Sequence, residues 1–356
     1  MKYALALLLS LYLGSAAAEP ASVNQKDPRL EPAKVTVVPA SPQGPAAIYI
    51  DGYIHRPTVD AIAHVANLGV GGPVLIYFNS PGGDLVASIE LGQVIRAKGY
   101  STRVGRKGPS GSPLPGRCES GCPFAFAGGK FRFLESSSSM GVHQFYRASG
   151  ARDGDLSLGQ VASALVATHL SNMGVSVRLM NLTASAGSDA MHYLTPVEAF
   201  DLGLINAGAN PAHWEVRDLA GALVLVGEQD TIQGTGRIAL ACGRNNTMEL
   251  AGLFKMSGDQ PHMPSFDHAE VQVDDLPTGT PAARVRFRNG YMSFLTIPNS
   301  KFENALSSAS AVTLRFTSNV PGQAIEFRLV TGDGLPLVRS FIRLCGGARP
   351  SLGDSL

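Results

Sequence analysis

Residues 73–99 read PVLIYFNSPGGDLVASIELGQVIRAKG. Val74, Leu75, Ile76, Tyr77 and Phe78 follow one another without a polar position between them, so a strand here has no face to give to water. Such a strand has to be covered on both sides, the condition of a parallel sheet flanked by helices. Gly82 and Gly83 allow a sharp turn, and the apolar spacing that follows is helical until Gly99 stops it. Strand, tight turn and helix in one stretch exclude a half-wet antiparallel sheet at this point and demand crossover connections.

The same alternation runs from Ala46 to about residue 210. AAIYIDGYI and YSTRVG read as strands and TVDAIAHVANLG as a helix. The glycine- and proline-rich RKGPSGSPLPGR leads into RCESGCP, and FAFAGG reads as a short buried helix. Strands are expected around KFRFLE and MGVHQF, then a long helix over SLGQVASALVATHLSNMG and a last one in TPVEAFDLGLI. Strands alternating with helices imply βαβ units and a mostly parallel sheet, an α/β class. Beyond Pro211 the texture changes to short strand-like runs: RIALACG, MELAGLF, AEVQVDD, ARVRFRNGYMSFLTI, AVTLRFT, QAIEFRLV and VRSFIRLCGG. Turn residues separate them, and RNG is a hairpin signal, so a smaller, mostly antiparallel β domain is expected there.

The N-terminal MKYALALLLSLYLGSAAA has one lysine, an apolar run and small residues before Glu19, the pattern of a secretory signal cut after Ala18. No other apolar run is long enough to span a bilayer, so the mature chain is expected in the periplasm or outside the cell, with no membrane span. The resulting plan is 1–18 signal, 19–45 proline-rich tether with one short strand, 46–210 α/β domain, and 211–356 β domain. Lys+Arg of 29 against Asp+Glu of 28 gives no electrostatic reason for nucleic acid or anionic lipid as partner. The four cysteines allow three pairings, and export makes pairing the expectation. Cys242 and Cys345, in the first and last clear strands of the β domain, are expected to bridge, and so are Cys118 and Cys122, with the latter bridge fixing the turn between them. No HExxH, CxxC or dense His/Cys cluster calls for a metal, and nothing calls for a cofactor.

Three places can carry chemistry. In NSPGGD the Gly83 amide points outward at a helix N-terminus, where it can stabilise a developing oxyanion, although many such turns use Pro-Gly-Gly for geometry alone. Ser120 precedes Gly121 and a short helix; an isolated serine there is more often an N-cap, and the G-x-S-x-G elbow of α/β-hydrolases is absent. His143, 23 residues on, matters only if it can accept the Ser120 proton.

Taken in order, IYFNSPGGD, the serine before a short apolar helix, VHQ and YLTPVEAFDLGLI resemble the proteolytic subunit of Clp protease over roughly residues 46–207. The resemblance implies a ClpP/crotonase-like repeated ββα core, followed here by the smaller β domain. It implies a serine-type peptidase with Ser120 as nucleophile, His143 as base, and Gly83 and Gly121 as oxyanion amides. The family places its aspartate just before the LTPVEA-like segment. Ungapped counting puts Met191 there, and Asp189, two residues earlier, is the acid expected to orient His143. Substrates are then short or unfolded peptides. The family's ATP-driven unfoldase is not expected outside the cytosol, and its ring assembly leaves a homo-oligomer open. Two other classes compete: a non-catalytic binding or scaffold protein that keeps the fold, and a crotonase-type acyl-thioester enzyme. Export away from coenzyme A and the Ser/His pair argue against the latter.

Overall fold

A computed structural model describes residues 27–42, 44–69, 72–146, 154–219, 221–243, 247–258 and 265–346. The expected signal segment and its cleavage site lie outside the described residues, as does the start of the expected tether. The rest of that tether is not a free linker. Strand β1 (Lys34–Val38) pairs antiparallel with β2 (Ala46–Asp51), Val35 opposite Ile50 and Val37 opposite Ile48. Its β-branched run closes the edge that β2 would otherwise leave open, which proline punctuation around it does not reveal.

Helix α1 (Arg56–Asn67), strand β3 (Val74–Asn79), helix α2 (Leu85–Ala97) and strand β4 (Ser101–Val104) complete two alternations of strand and helix. A short hairpin, β5 (Arg106–Lys107) with β6 (Pro113–Leu114), occupies the glycine- and proline-rich loop. Then come β7 (Arg117–Glu119), α3 (Cys122–Phe126), β8 (Arg132–Phe133), β9 (Ser139–Val142), α4 (Asp155–Asn172), α5 (Leu179–Ser185), β10 (His192–Tyr193) and α6 (Pro196–Asp201). The main sheet has the order β1-β2-β3-β4-β8, parallel apart from β1. A second sheet, β10-β9-β7, is joined to it where Ser80 bridges Cys118. Ile76 and Phe78 of β3 are wholly buried and Tyr77 nearly so, as the lack of alternation requires. The KFRFLE stretch gives only the two residues of β8.

From residue 211 the chain is mostly antiparallel strand. These are β11 (His213–Leu219), β12 (Ala222–Thr231), β13 (Gly234–Cys242), β14 (Met248–Met256), β15 (His268–Val273), β16 (Leu276–Pro277), β17 (Ala283–Arg284), β18 (Arg286–Arg288) and β19 (Tyr291–Thr296), then helix α7 (Ser300–Leu306), β20 (Ala311–Thr317), β21 (Ala324–Val330) and helix α8 (Leu335–Gly346). One sheet runs β11-β12-β13-β14-β19-β18, the other β16-β15-β20-β21 with β17 also on β15. Phe254, Phe316 and Phe327 fill the core they share, and the Phe254 and Phe327 rings lie 4.9 Å apart. Two expectations need correction here. HWEVRDL and ALVLVGEQDT are strands, so Cys242 ends the third strand of the region rather than the first. VRSFIRLCG, as far as it is described, lies within α8: Val338, Phe341 and Cys345 are its buried residues, a spacing of three and four that is helical. The Cys242–Cys345 bridge, with Cα atoms 5.2 Å apart, therefore ties a strand to a helix.

Two hydrophobic clusters result, one drawn from Ala33 to Ile205 and the other from Trp214 to Cys345. Among the described residues no helix is long and apolar enough to cross a membrane.

Candidate functional site

The site is assembled where the two sheets of the α/β region meet. Ser80 donates its amide to the Arg117 carbonyl at 2.8 Å and accepts from the Glu119 amide at 3.0 Å. The turn after β3 is thereby fastened to β7, the strand that ends just before Ser120. Ser120 itself has φ of +57°, in the left-handed region. A serine there is strained, and the strain is held by a hydrogen bond from its amide to the Gly141 carbonyl at 3.0 Å and by the helix that Gly121 opens. Gly121, not Ser120, is the N-cap of α3, and no side chain caps that helix. The simple capping role for Ser120 is thus set aside. The strand–serine–helix turn is an elbow in geometry although its sequence is not G-x-S-x-G.

Glycines make the close approach feasible. A Cβ on Gly82 would lie 2.6 Å from the Ser120 Cβ, and one on Gly83 would lie 2.2 Å from the Ile54 carbonyl oxygen. A Cβ on Gly121 would be 3.4 Å from the Gly83 carbonyl oxygen, so the two glycines are neighbours. Among the described residues neither the Gly83 nor the Gly121 amide donates a hydrogen bond, while those of Gly82, Asp84 and Ser120 do. Two unused N–H groups therefore sit beside the Ser120 turn.

His143 follows β9, is 8% exposed, and places Nε2 2.8 Å from Ser120 Oγ. Burial holds its pKa below the ordinary histidine value, partly offset by the Gln144 backbone and the Glu119 charge. The neutral ring can then accept the serine O–H at Nε2, with the proton on Nδ1. Gln144 anchors this segment: its amide donates to the Ala186 carbonyl at 3.0 Å and its side chain to the Ala184 carbonyl at 2.7 Å. Buried Nδ1 of His143 has no hydrogen-bond partner among the described residues.

The expected orienting acid is not brought to the histidine. Asp189 lies exposed in the turn between α5 and β10, with no hydrogen bond or ion pair to His143. The reason is register: the β9–β10 ladder ends at His192, opposite Val142, so Met191 is the first residue beyond it on the His143 side and Asp189 lies two residues further along the loop. Met191 packs on Gly141, where its sulfur would lie 2.8 Å from an added Cβ. A thioether, which cannot carry charge, thus stands at this end of the ladder in place of an acid.

One acid near the pair escaped sequence reasoning. Glu119, adjoining Ser120, is 9% exposed; Tyr193 Oη donates to its Oε1 at 3.0 Å and Arg117 lies 3.3 Å from its Oε2. In RCESGCP a glutamate reads as an ordinary polar position, and only the three-strand register shows that it is buried. The same heptapeptide holds the Cys118–Cys122 bridge, with Cα atoms 5.2 Å apart, Cys118 in β7 and Cys122 at the first residue of α3. Among the described residues no group of His, Cys, Asp or Glu could hold a metal ion.

No family model matches the chain, and no curated protein does either. Among solved structures, a mutant of the 1510-N membrane-bound stomatin-specific protease aligns at 18% identity over 45% of this chain and 76% of that one, with a TM-score of 0.35. So distant a likeness assigns neither fold family nor activity.

Proposed function

We propose that the chain is a serine-type peptidase acting on short or unfolded peptides, with Ser120 as nucleophile and His143 as general base. The observation that carries this reading is the 2.8 Å contact between Ser120 Oγ and His143 Nε2 at a strained strand-to-helix turn. As Oγ attacks the scissile carbonyl, Nε2 takes its proton; the same proton then passes to the leaving amine, and water repeats the sequence on the acyl-enzyme. The Gly83 and Gly121 amides would receive the carbonyl oxygen as it gains charge, and one such donor is worth about 3–4 kcal/mol. With no acid on Nδ1 the machinery is a dyad. The two disulfides fit an oxidising, periplasmic or extracellular setting, where no ATP-driven partner is needed.

A second reading is favoured by one observation, Met191 rather than an acid at the end of the β9–β10 ladder, packed on Gly141: a binding or scaffold protein that keeps the fold without turnover. A fluorophosphonate probe on the folded, disulfide-bonded chain separates the two. The peptidase reading expects covalent labelling that Ser120→Ala abolishes; an unlabelled protein that also fails to cleave unfolded casein would leave the scaffold reading standing.

A further inference from the structure

We propose that Glu119 is a positioning residue for this site, the carboxylate that favours the charged form of His143 across the β7-β9-β10 sheet without touching Nδ1. The inference rests on the Ser120/His143 reading and supplies the negative charge that Met191 cannot.

Register carries it. β7 and β10 both pair with β9, and Glu119 and Tyr193 are each opposite Gly141, so the three form one row across the sheet. Gly141 has no side chain, and the Tyr193 ring crosses above it to donate its hydroxyl to Glu119 Oε1. This bond, with burial and the Glu119 charge, raises the Tyr193 pKa and keeps the phenol a donor. Glu119 is held there at 9% exposure, with one weak ion pair to Arg117 and one phenolic hydrogen bond. A carboxylate costs free energy to keep at such depth with so few partners. His143 comes directly after β9, two residues beyond Gly141, and its ring meets the side chain of Ser120, the chain neighbour of Glu119, at 2.8 Å.

The charge acts selectively. Neutral His143 gains little from it, whereas the imidazolium formed when Ser120 gives up its proton is attracted, so the benefit arises as the transition state is approached. The other charged or titratable groups around His143 are few. Arg117 on β7 opposes Glu119, and Tyr193 on β10 is its hydrogen-bond donor. His192 is turned to Glu198, 3.6 Å away. The Tyr146 ring lies tilted against the histidine ring with centroids 5.6 Å apart, while Asp189 faces solvent. α3 and α5 contribute no titratable side chain.

The test reads the histidine directly, so it does not depend on turnover. The full, disulfide-bonded chain is labelled in its histidine rings, the His143 resonance is assigned with His143→Ala, and its midpoint is followed by NMR. Glu119→Gln is expected to lower that midpoint by about half a unit to one unit, leaving His169 unmoved. Arg117→Ala, an exposed change that keeps Glu119 in place, is expected to raise it. Opposite shifts of this kind do not arise from a merely structural role. A His143 midpoint that stays put in both variants overturns the inference; should Glu119→Gln not fold, an unchanged or lowered midpoint in Arg117→Ala is sufficient to do so. Failure of probe labelling with the two shifts intact would instead remove the peptidase reading and leave the coupling.

Discussion

At the scale of single residues the site turns on two unusual states, a serine at positive φ and a buried neutral histidine. Ser120→Ala and His143→Ala are each expected to lower peptide turnover by about four to six powers of ten, with folding retained; near-normal rates in either would remove that residue from the dyad. Because burial lowers the His143 pKa, the base stays neutral to lower pH than a free histidine. Activity is therefore lost as pH falls through a midpoint below the ordinary 6.5, and kcat/KM against pH should show its acid limb there; a limb above 6.5 contradicts the assignment. Sequence spacing pointed to Ser120 and His143, since motifs along one chain preserve order. It could not show that Ser120 is left-handed, nor that Met191 packs on Gly141 while Asp189 stays exposed. Those depend on how β7, β9 and β10 pair, and their partners are separated by tens of residues.

At the scale of elements, α3 is the piece that sets the geometry. It is only five residues long; the amides of Ala127, Gly128 and Gly129 cover the Pro123, Ala125 and Phe126 carbonyls, and basic side chains supply donors to others in it and just beyond its end. His169 Nε2 reaches the Phe124 carbonyl at 2.8 Å, Arg96 Nη2 the Ala127 carbonyl at 3.1 Å, and Arg132 Nη1 the Gly129 carbonyl at 2.8 Å. Arg132 also donates to the Leu204 and Gly203 carbonyls, and burial beside Arg96 pushes its pKa down to about 10. Arg132→Met leaves several buried carbonyls without donors and should lower stability by about 3 kcal/mol or more in urea unfolding. A loss below about 1 kcal/mol would mean that water replaces the guanidinium there. His169 gives a pH signature. Its folded pKa is depressed by burial below 6.5, so the stability it contributes is full above 6.5 and is lost as pH falls toward the folded value. His169→Gln should flatten that acid loss in urea midpoints measured from pH 7 to 5. None of this network was legible in sequence, where Arg96, Arg132 and His169 read as unrelated polar positions on three different segments; the buried strand β3 and helix α2 were legible because their patterns are local.

At the scale of the whole molecule, the two hydrophobic clusters are joined by polar groups. Asn206 receives the Arg132 amide at 2.8 Å and donates to Asn210 Oδ1 at 2.9 Å. The Asn210 amide donates to the Asp230 carbonyl on β12, and Lys130 Nζ lies 3.2 Å from Asp230 Oδ2. Arg132, one of the residues that brace α3, is thus linked through Asn206 and Asn210 to the C-terminal β region. The two disulfides divide their work between these parts, because their loops differ so much in length. Cys118 and Cys122 are 4 residues apart and Cys242 and Cys345 103 apart. In the chain-entropy model the long bridge contributes about 4–5 kcal/mol and the short one about 2 kcal/mol. The short bridge lies across Ser120 and the Gly121 amide, where a shift of about 1 Å can cost on the order of a hundredfold in rate. Cys118→Ala/Cys122→Ala is therefore expected to lose turnover far out of proportion to its stability, and Cys242→Ala/Cys345→Ala to lose stability with turnover nearly kept below the unfolding transition. Urea unfolding and peptide turnover measured on both double variants decide it: full activity without the short bridge would make those cysteines bystanders, and equal stability losses would show that loop length is not what governs the two bridges.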